Sequence, residues 1–189
     1  MKRKKEKVFY FQPSFLLFPY IMRIGFVKNL ITIKNCNMLK LGGLNMMKFE
    51  AFEHGADIGI RGYGKTLSEA FSNILKALVT LLVEKIDWKE INLREKHSIK
   101  VEAEFLDELL VIFINKVLSL FYLEKVLFFE FKGEIEEKNG KYILKGELLG
   151  ENYSHEKFGY GVEVKGATFT MAEVKKEKDL WVAQCVVDV

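Results

Sequence analysis

The sequence predicts an α+β fold: a single compact domain with a mostly antiparallel sheet and two helices. Three observations carry this. Two stretches, one after Thr66 and one after Asp107, repeat apolar residues at helical spacing. The segments around them alternate apolar and polar residues with the period of two of a half-buried strand. The last four strand-like segments follow one another with no helix between them, and two of them flank Asn139-Gly140, a dipeptide that favours a type I′ hairpin turn. The order is two strands, helix, strand, helix and four strands, which suits a layered fold with an antiparallel sheet.

Each element has its own signal. Lys48 to Glu53 alternates, and Asp57 to Tyr63 reads as a second short strand with Ile58 and Ile60 on one face. Gly59, Gly62 and Gly64 have the wrong spacing for a dinucleotide fingerprint or a P-loop; tight turns are the expected role. Thr66-Leu67-Ser68-Glu69 is a capping box, in which Thr66 caps the first amides and Glu69 reaches back. The helix it starts runs to about Glu84, with Leu67, Ala70, Phe71, Ile74, Leu75, Leu78 and Leu82 on one face. Trp88 is expected to anchor the following connection. Ser98 to Glu104 alternates with Ile99, Val101 and Ala103 inward. The second helix, about Asp107 to Leu123, is apolar almost all round, so it is buried on most sides. Val126 to Glu137 and Lys141 to Leu149 form the hairpin. Gly150 to Phe158 reads as a polar loop, Gly161 to Lys175 as one long strand, and Leu180 to Val189 as the last strand after a turn at Lys178-Asp179.

Residues 1–46 differ in composition. They carry nine Lys/Arg and one acid, and hold both prolines, Pro13 and Pro19. The apolar run from Val8 to Met22 is shorter than the roughly 20 residues that span a bilayer, and the prolines break it. Gly42-Gly43 followed by Met46-Met47 reads as translated leader, because GGAGGN codes Gly-Gly and resembles a ribosome-binding sequence. The expected organisation is an N-terminal extension over 1–46, from a start placed too early or else disordered, and a domain over 47–189; a membrane-surface or targeting segment is the alternative for the extension. With the extension removed the net charge of +3 becomes −5. Such a domain is a poor binder of phosphate backbones, so any work on RNA is expected to run through a protein partner. Two cysteines, Cys36 and Cys185, make no disulfide framework. A reducing compartment, the cytoplasm, is expected, with no membrane association.

The chain offers little enzyme machinery. His54, His97 and His155 lack metal-ligand spacing, and no Ser or Cys sits in a nucleophile elbow. Cys185 reads as a small buried hydrophobe. Asp57 and Asp188 stand out, because aspartate is disfavoured in strands. Two readings stand side by side. In one, Asp57 caps a turn and Asp188 lies at a solvated strand end. In the other, Asp57, Asp188 and the terminal carboxylate of Val189 meet as an all-oxygen site for a hard cation such as Ca²⁺ or Mg²⁺. Lys165, on a stretch that is otherwise apolar, is either a surface lysine or a functional ammonium.

Residues 47–189 resemble the archease family end to end. The matching segments are Phe52 to Gly64, Thr66 to Phe71, Asp107 to Leu110, Phe113 to Asn115, Gly146-Glu147, His155, Glu163 to Phe169 and Trp181 to Val189. The family usually has Thr where this chain has Gly55, and many members have His where it has Thr170. The resemblance implies a non-enzymatic activator of the RNA-splicing ligase in tRNA splicing or RNA repair, promoting guanylylation of the ligase histidine and multiple turnover. It implies a metal site, often calcium with magnesium or manganese as alternatives, on Asp57, Asp188 and Val189, and activating roles for Asp57, Lys165 and Asp188. The alternative is a chaperone-like modulator of a tRNA-modifying enzyme such as a tRNA methyltransferase. A free-standing metal-dependent hydrolase is weakened by the lack of a general-base histidine near a metal motif.

Overall fold

The structure, a computed structural model, describes residues 38–41 and 44–189. Most of the expected extension therefore lies outside the described residues. Within it Met38–Leu41 (β1) and Leu44–Met47 (β2) pair antiparallel, so the expected start at Met46 or Met47 falls inside β2. The domain proper continues with Phe49–His54 (β3), Asp57–Gly64 (β4), helix Leu67–Leu82 (α1), Glu95–Ala103 (β5), helix Leu106–Glu124 (α2), Val126–Lys138 (β6), Lys141–Asn152 (β7), a short helix His155–Phe158 (α3), Gly166–Glu177 (β8) and Leu180–Asp188 (β9). The α+β class and the antiparallel pairing hold. The strands of the domain form two sheets rather than one, in the orders β3-β4-β9-β8 and β5-β7-β6.

The two long helices join the sheets. Helix α1 packs on β4 and β3 of the four-stranded sheet and on β6 of the other, while α2 packs on β8 and on β5 and β6. Phe71 of α1, Phe113 of α2 and Phe131 of β6 form the middle of the core, with successive ring centroids 5.5 Å apart. Each such fully buried side chain contributes about 1.5–3 kcal/mol. The predicted cap is present with one change of partner. Thr66 Oγ1 accepts from Glu69 N–H at 3.1 Å, and the Glu69 carboxylate accepts from Lys65 N–H, one residue before the cap. Buried Ser72 accepts from Phe131 N–H at 3.0 Å, close to the β-bulge between Phe128 and Glu130, and so provides for an amide beside the irregular ladder. Trp88 anchors its connection between Phe49 and Phe129, at 5.6 and 6.0 Å. The Asn139-Gly140 turn has φ of 54° and 73°, the type I′ pattern.

Three expectations are corrected. Gly59, Gly62 and Gly64 are not turn residues but lie inside β4, at close approaches. A Cβ at Gly62 would overlap Ala70 O and Ile74 N, one at Gly64 would overlap Ala70 N, and one at Gly59 would overlap the Phe52 ring. The missing side chains let β4 lie directly against the backbone of α1 and under Phe52. The turn glycine is Gly55, at φ 63°, in the two-residue loop between β3 and β4. The supposed loop over Gly150 to Phe158 is the end of β7 followed by α3, whose cap Ser154 accepts from Lys157 N–H. The long strand expected from Gly161 begins only at Gly166. Gly161 and Val162 donate instead to Leu82 O and Leu81 O at the end of α1.

Candidate functional site

The pleat of β4 divides its residues. Ile58, Ile60, Gly62 and Gly64 face α1, which places Asp57, Gly59, Arg61 and Tyr63 on the opposite face. Strand β9 pairs with β4 from Gly64↔Trp181 to Ile58↔Val187. One further step of the same register sets Asp57 opposite Asp188. Asp57 also opposes His54 across the Gly55-Ala56 turn. On the other side of β9, Gly166 opposes Asp188. Lys165 N–H donates to Asp188 O at 2.9 Å, its ammonium donates to Val189 O at 3.1 Å, and the same nitrogen lies 3.9 Å from Asp188 Oδ1. The structure thus gathers Lys165, Asp188 and Val189 in direct contact, with Asp57 beside them by register. The sequence places Lys165 on a strand; the structure instead puts it on the segment leading into β8, with 60% of its side chain exposed.

Helix α2 sets this segment in place. Asn115 bonds both backbone groups of Ala167: its Nδ2 donates to the carbonyl at 3.1 Å and its Oδ1 accepts from the amide at 2.8 Å. Two turns further on, Tyr122 donates its hydroxyl to Val164 O at 2.8 Å. Burial raises the pKa of that phenol, so it stays a donor over the ordinary pH range. Lys165 lies between these two attachments. In the sequence Asn115 is one polar residue of a matched segment, with no role of its own. The signal was present: an amide on a helix that is otherwise almost wholly apolar.

The other candidates lie elsewhere. His97 on β5 sits 3.2 Å from a Glu124 carboxylate oxygen and edge-on to Phe128, and His155 on α3 stacks on Tyr160 at 4.2 Å. Cys185 is fully buried in β9, as expected for a small hydrophobe, and burial pushes its thiol up to about 12. No helix among the described residues is long and apolar enough to cross a membrane.

A cation at the acidic site would find only oxygen donors. Among the described residues no three His, Cys, Asp or Glu side chains cluster as metal ligands. The acidic site has two carboxylate side chains, Asp57 and Asp188, with Val189 O beside them. The Lys165 ammonium donates to Val189 O and lies 3.9 Å from Asp188 Oδ1, so these oxygens already face a cationic group. Hard, exposed carboxylate oxygens of this kind suit Ca²⁺, Mg²⁺ or Mn²⁺ and do not suit a soft metal.

A sequence model of the Archease protein family (MTH1598/TM1083) matches residues 49–189. The chain belongs to the archease family. It is 41% identical over 145 residues to the protein archease of Pyrococcus furiosus, covering 76% of this chain and all of the relative. It is 34% identical over 143 residues to that of Methanosarcina barkeri, covering 75% and 96%. Among solved structures, the solution structure of Methanobacterium thermoautotrophicum protein 1598 matches with a TM-score of 0.61 and 28% identity, covering 75% of this chain and 99% of that one. The match to the archease family leaves out residues 1–48 and takes in every residue of the acidic site.

Proposed function

We propose that this protein is a non-enzymatic activator of an RNA-splicing ligase, and that it acts by presenting Asp57, Asp188, the carboxyl group of Val189 and the Lys165 ammonium to the ligase active centre. The observation that supports this reading is the meeting of β4, β9 and the segment before β8 at one end of the sheet, where the Lys165 ammonium donates to Val189 O and lies 3.9 Å from Asp188 Oδ1. A protein so equipped can help a reaction by placing charge, which is where catalysis of nucleotidyl transfer gains most. Asp57, Asp188 and Val189 would hold a divalent cation, Ca²⁺ first and Mg²⁺ or Mn²⁺ as alternatives, and the ion would supply charge neutralisation near a phosphoryl group. The chain's own residues do the rest. Asn115 and Tyr122 hold the Lys165 segment in register with Asp188. The Lys165 ammonium balances the carboxylates, and its reach lets it turn toward a phosphate. Membership of the archease family and the negative net charge of the domain support action through a protein partner in the cytoplasm rather than direct grip on RNA.

The test is ligation by the ligase of the same genome with GTP, divalent metal and RNA in excess over ligase. Wild-type chain is expected to raise product at least tenfold, and Asp57→Asn and Asp188→Asn to lose most of that gain while melting like the wild type. Equal stimulation by folded Asp57→Asn sinks the acidic-site mechanism. No stimulation by folded wild type moves the assignment to a chaperone of a tRNA-modifying enzyme such as a tRNA methyltransferase, which needs no metal.

A further inference from the structure

Strand β8 is the edge of the four-stranded sheet, and it is interrupted next to the acidic site. Thr168 opposes Val186, but the next registered pair is Glu173 with Gln184, so four residues of β8 stand against one of β9. Such a bulge re-aims side chains and ends regular pairing. Here it turns Phe169 and Met171 outward, 64% and 45% exposed, with Thr170 exposed between them. The backbone takes a costly form to do this, since Met171 has φ 51°, a region that side-chain-bearing residues rarely adopt.

A polar relay holds that form. Gln184, only 8% exposed, donates its amide to Met171 O at 3.1 Å and accepts from Arg61 Nε at 2.8 Å. Arg61 in turn pairs with Glu50, and Tyr63 donates to the same carboxylate at 2.6 Å. The Arg61 guanidinium also lies over the Phe52 ring, 4.8 Å from its centroid. The relay crosses the sheet from β3 to β8 and ends on the bulge carbonyl. Beyond the bulge, Phe105 is 65% exposed and lies across a hollow of about 300 Å³ from Ala172 and Val174.

We propose that the Phe169–Met171 bulge is the docking element for the same ligase, entering an apolar recess beside the active centre that the acidic site serves. This rests on the activator reading above. Three features single out this occupant. Phe169 lies four residues from Lys165, about 13 Å along extended chain, so a partner seated on the acidic site has the bulge within its footprint. The exposed side chains at the tip carry no charge, which does not suit a phosphate backbone. The bulge breaks the β8 ladder and the Met171 carbonyl is already taken, so a partner reads side chains here rather than adding a strand.

The test measures the affinity of the full chain for the ligase by titration calorimetry. Phe169→Ser with Met171→Ser is expected to weaken binding at least tenfold while melting and Ca²⁺ binding stay those of wild type. Each single change is expected to weaken binding less. Gln184→Leu keeps both apolar side chains and removes the brace, and is expected to weaken binding several-fold. Asp57→Asn is expected to fail to stimulate at any concentration, whereas the double variant is expected to recover stimulation when supplied at saturation, which separates docking from chemistry. A double variant that binds as well as wild type, while wild type stimulates, overturns the docking element and leaves the activator reading intact. Wild type that neither binds nor stimulates overturns both. Self-association abolished by the double variant, with unchanged affinity for the ligase, assigns the bulge to a second copy of the chain and overturns the proposal.

Discussion

Strand β4 presents two unlike faces. Toward α1 it shows Ile58, Ile60 and two glycines bare enough for helix backbone to rest on strand backbone. On the other side it shows Asp57, Gly59 under Phe52, Arg61 and Tyr63, with charged groups on neighbouring strands beyond them. One side is specified by shape, to fractions of an ångström, and admits almost no change. The other is specified by charge and hydrogen bonding, and its outermost carboxylate, Asp57, is not packed into the core. The difference teaches where to look for function on a small sheet. It lies on the face where disfavoured residue types persist without packing to justify them.

The largest effect should come from the helix side. Gly62→Val places a branched side chain where a Cβ would come within 2.9 Å of Ile74 Cα and closer still to two other backbone atoms of α1. A backbone cannot swing aside as a side chain can, so we expect a loss of about 3 kcal/mol or more in denaturant unfolding. A wild-type midpoint would break the contrast. Asn115→Ala comes next, because it strips both partners from Ala167 behind the site. The expected cost is about 1–3 kcal/mol, with faster amide hydrogen exchange at Ala167 and Lys165. Normal exchange there would mean that α2 does not hold the segment. The smallest is Asp57→Asn, for which stability should stay within about 0.5 kcal/mol while ligase stimulation is lost. A clear fall in melting temperature would place Asp57 among the residues that hold the fold.

Local chemistry made much of this legible in advance. The Thr66 cap, the Asn139-Gly140 turn, the two helices and the burial of Cys185 each depend on a few neighbouring residues, and each is found as expected. Asp57 and Asp188 stood out because aspartate is disfavoured in strands, although a turn cap and a solvated strand end were local readings open to them. What was not legible depends on distant partners. Val162 and Val164 alternate as a strand does, but the amides of Gly161 and Val162 bond the end of α1, and no local pattern distinguishes one acceptor from another. Gly62 in a strand looks like Gly62 in a turn until the helix that covers it is known. The split into two sheets and the register jump after Thr168 are likewise properties of pairing. The capping role of Ser154 was local and could have been found, since serine is a recognised residue type directly before a helical turn such as His155–Phe158.

The position of β9 has a kinetic consequence. It is the final strand in chain order, yet it lies between β4 and β8 and bonds to both. Arg61 meets Gln184 across 123 residues of intervening chain. Contacts so remote must wait for a large loop to close, and folds dominated by them form slowly. Until β9 slots in, the hairpin of β3 and β4 has an open edge and Asp57 has no opposite number. Assembly of the acidic site is therefore a late event of folding, and a chain that presents it has already completed its longest-range pairing.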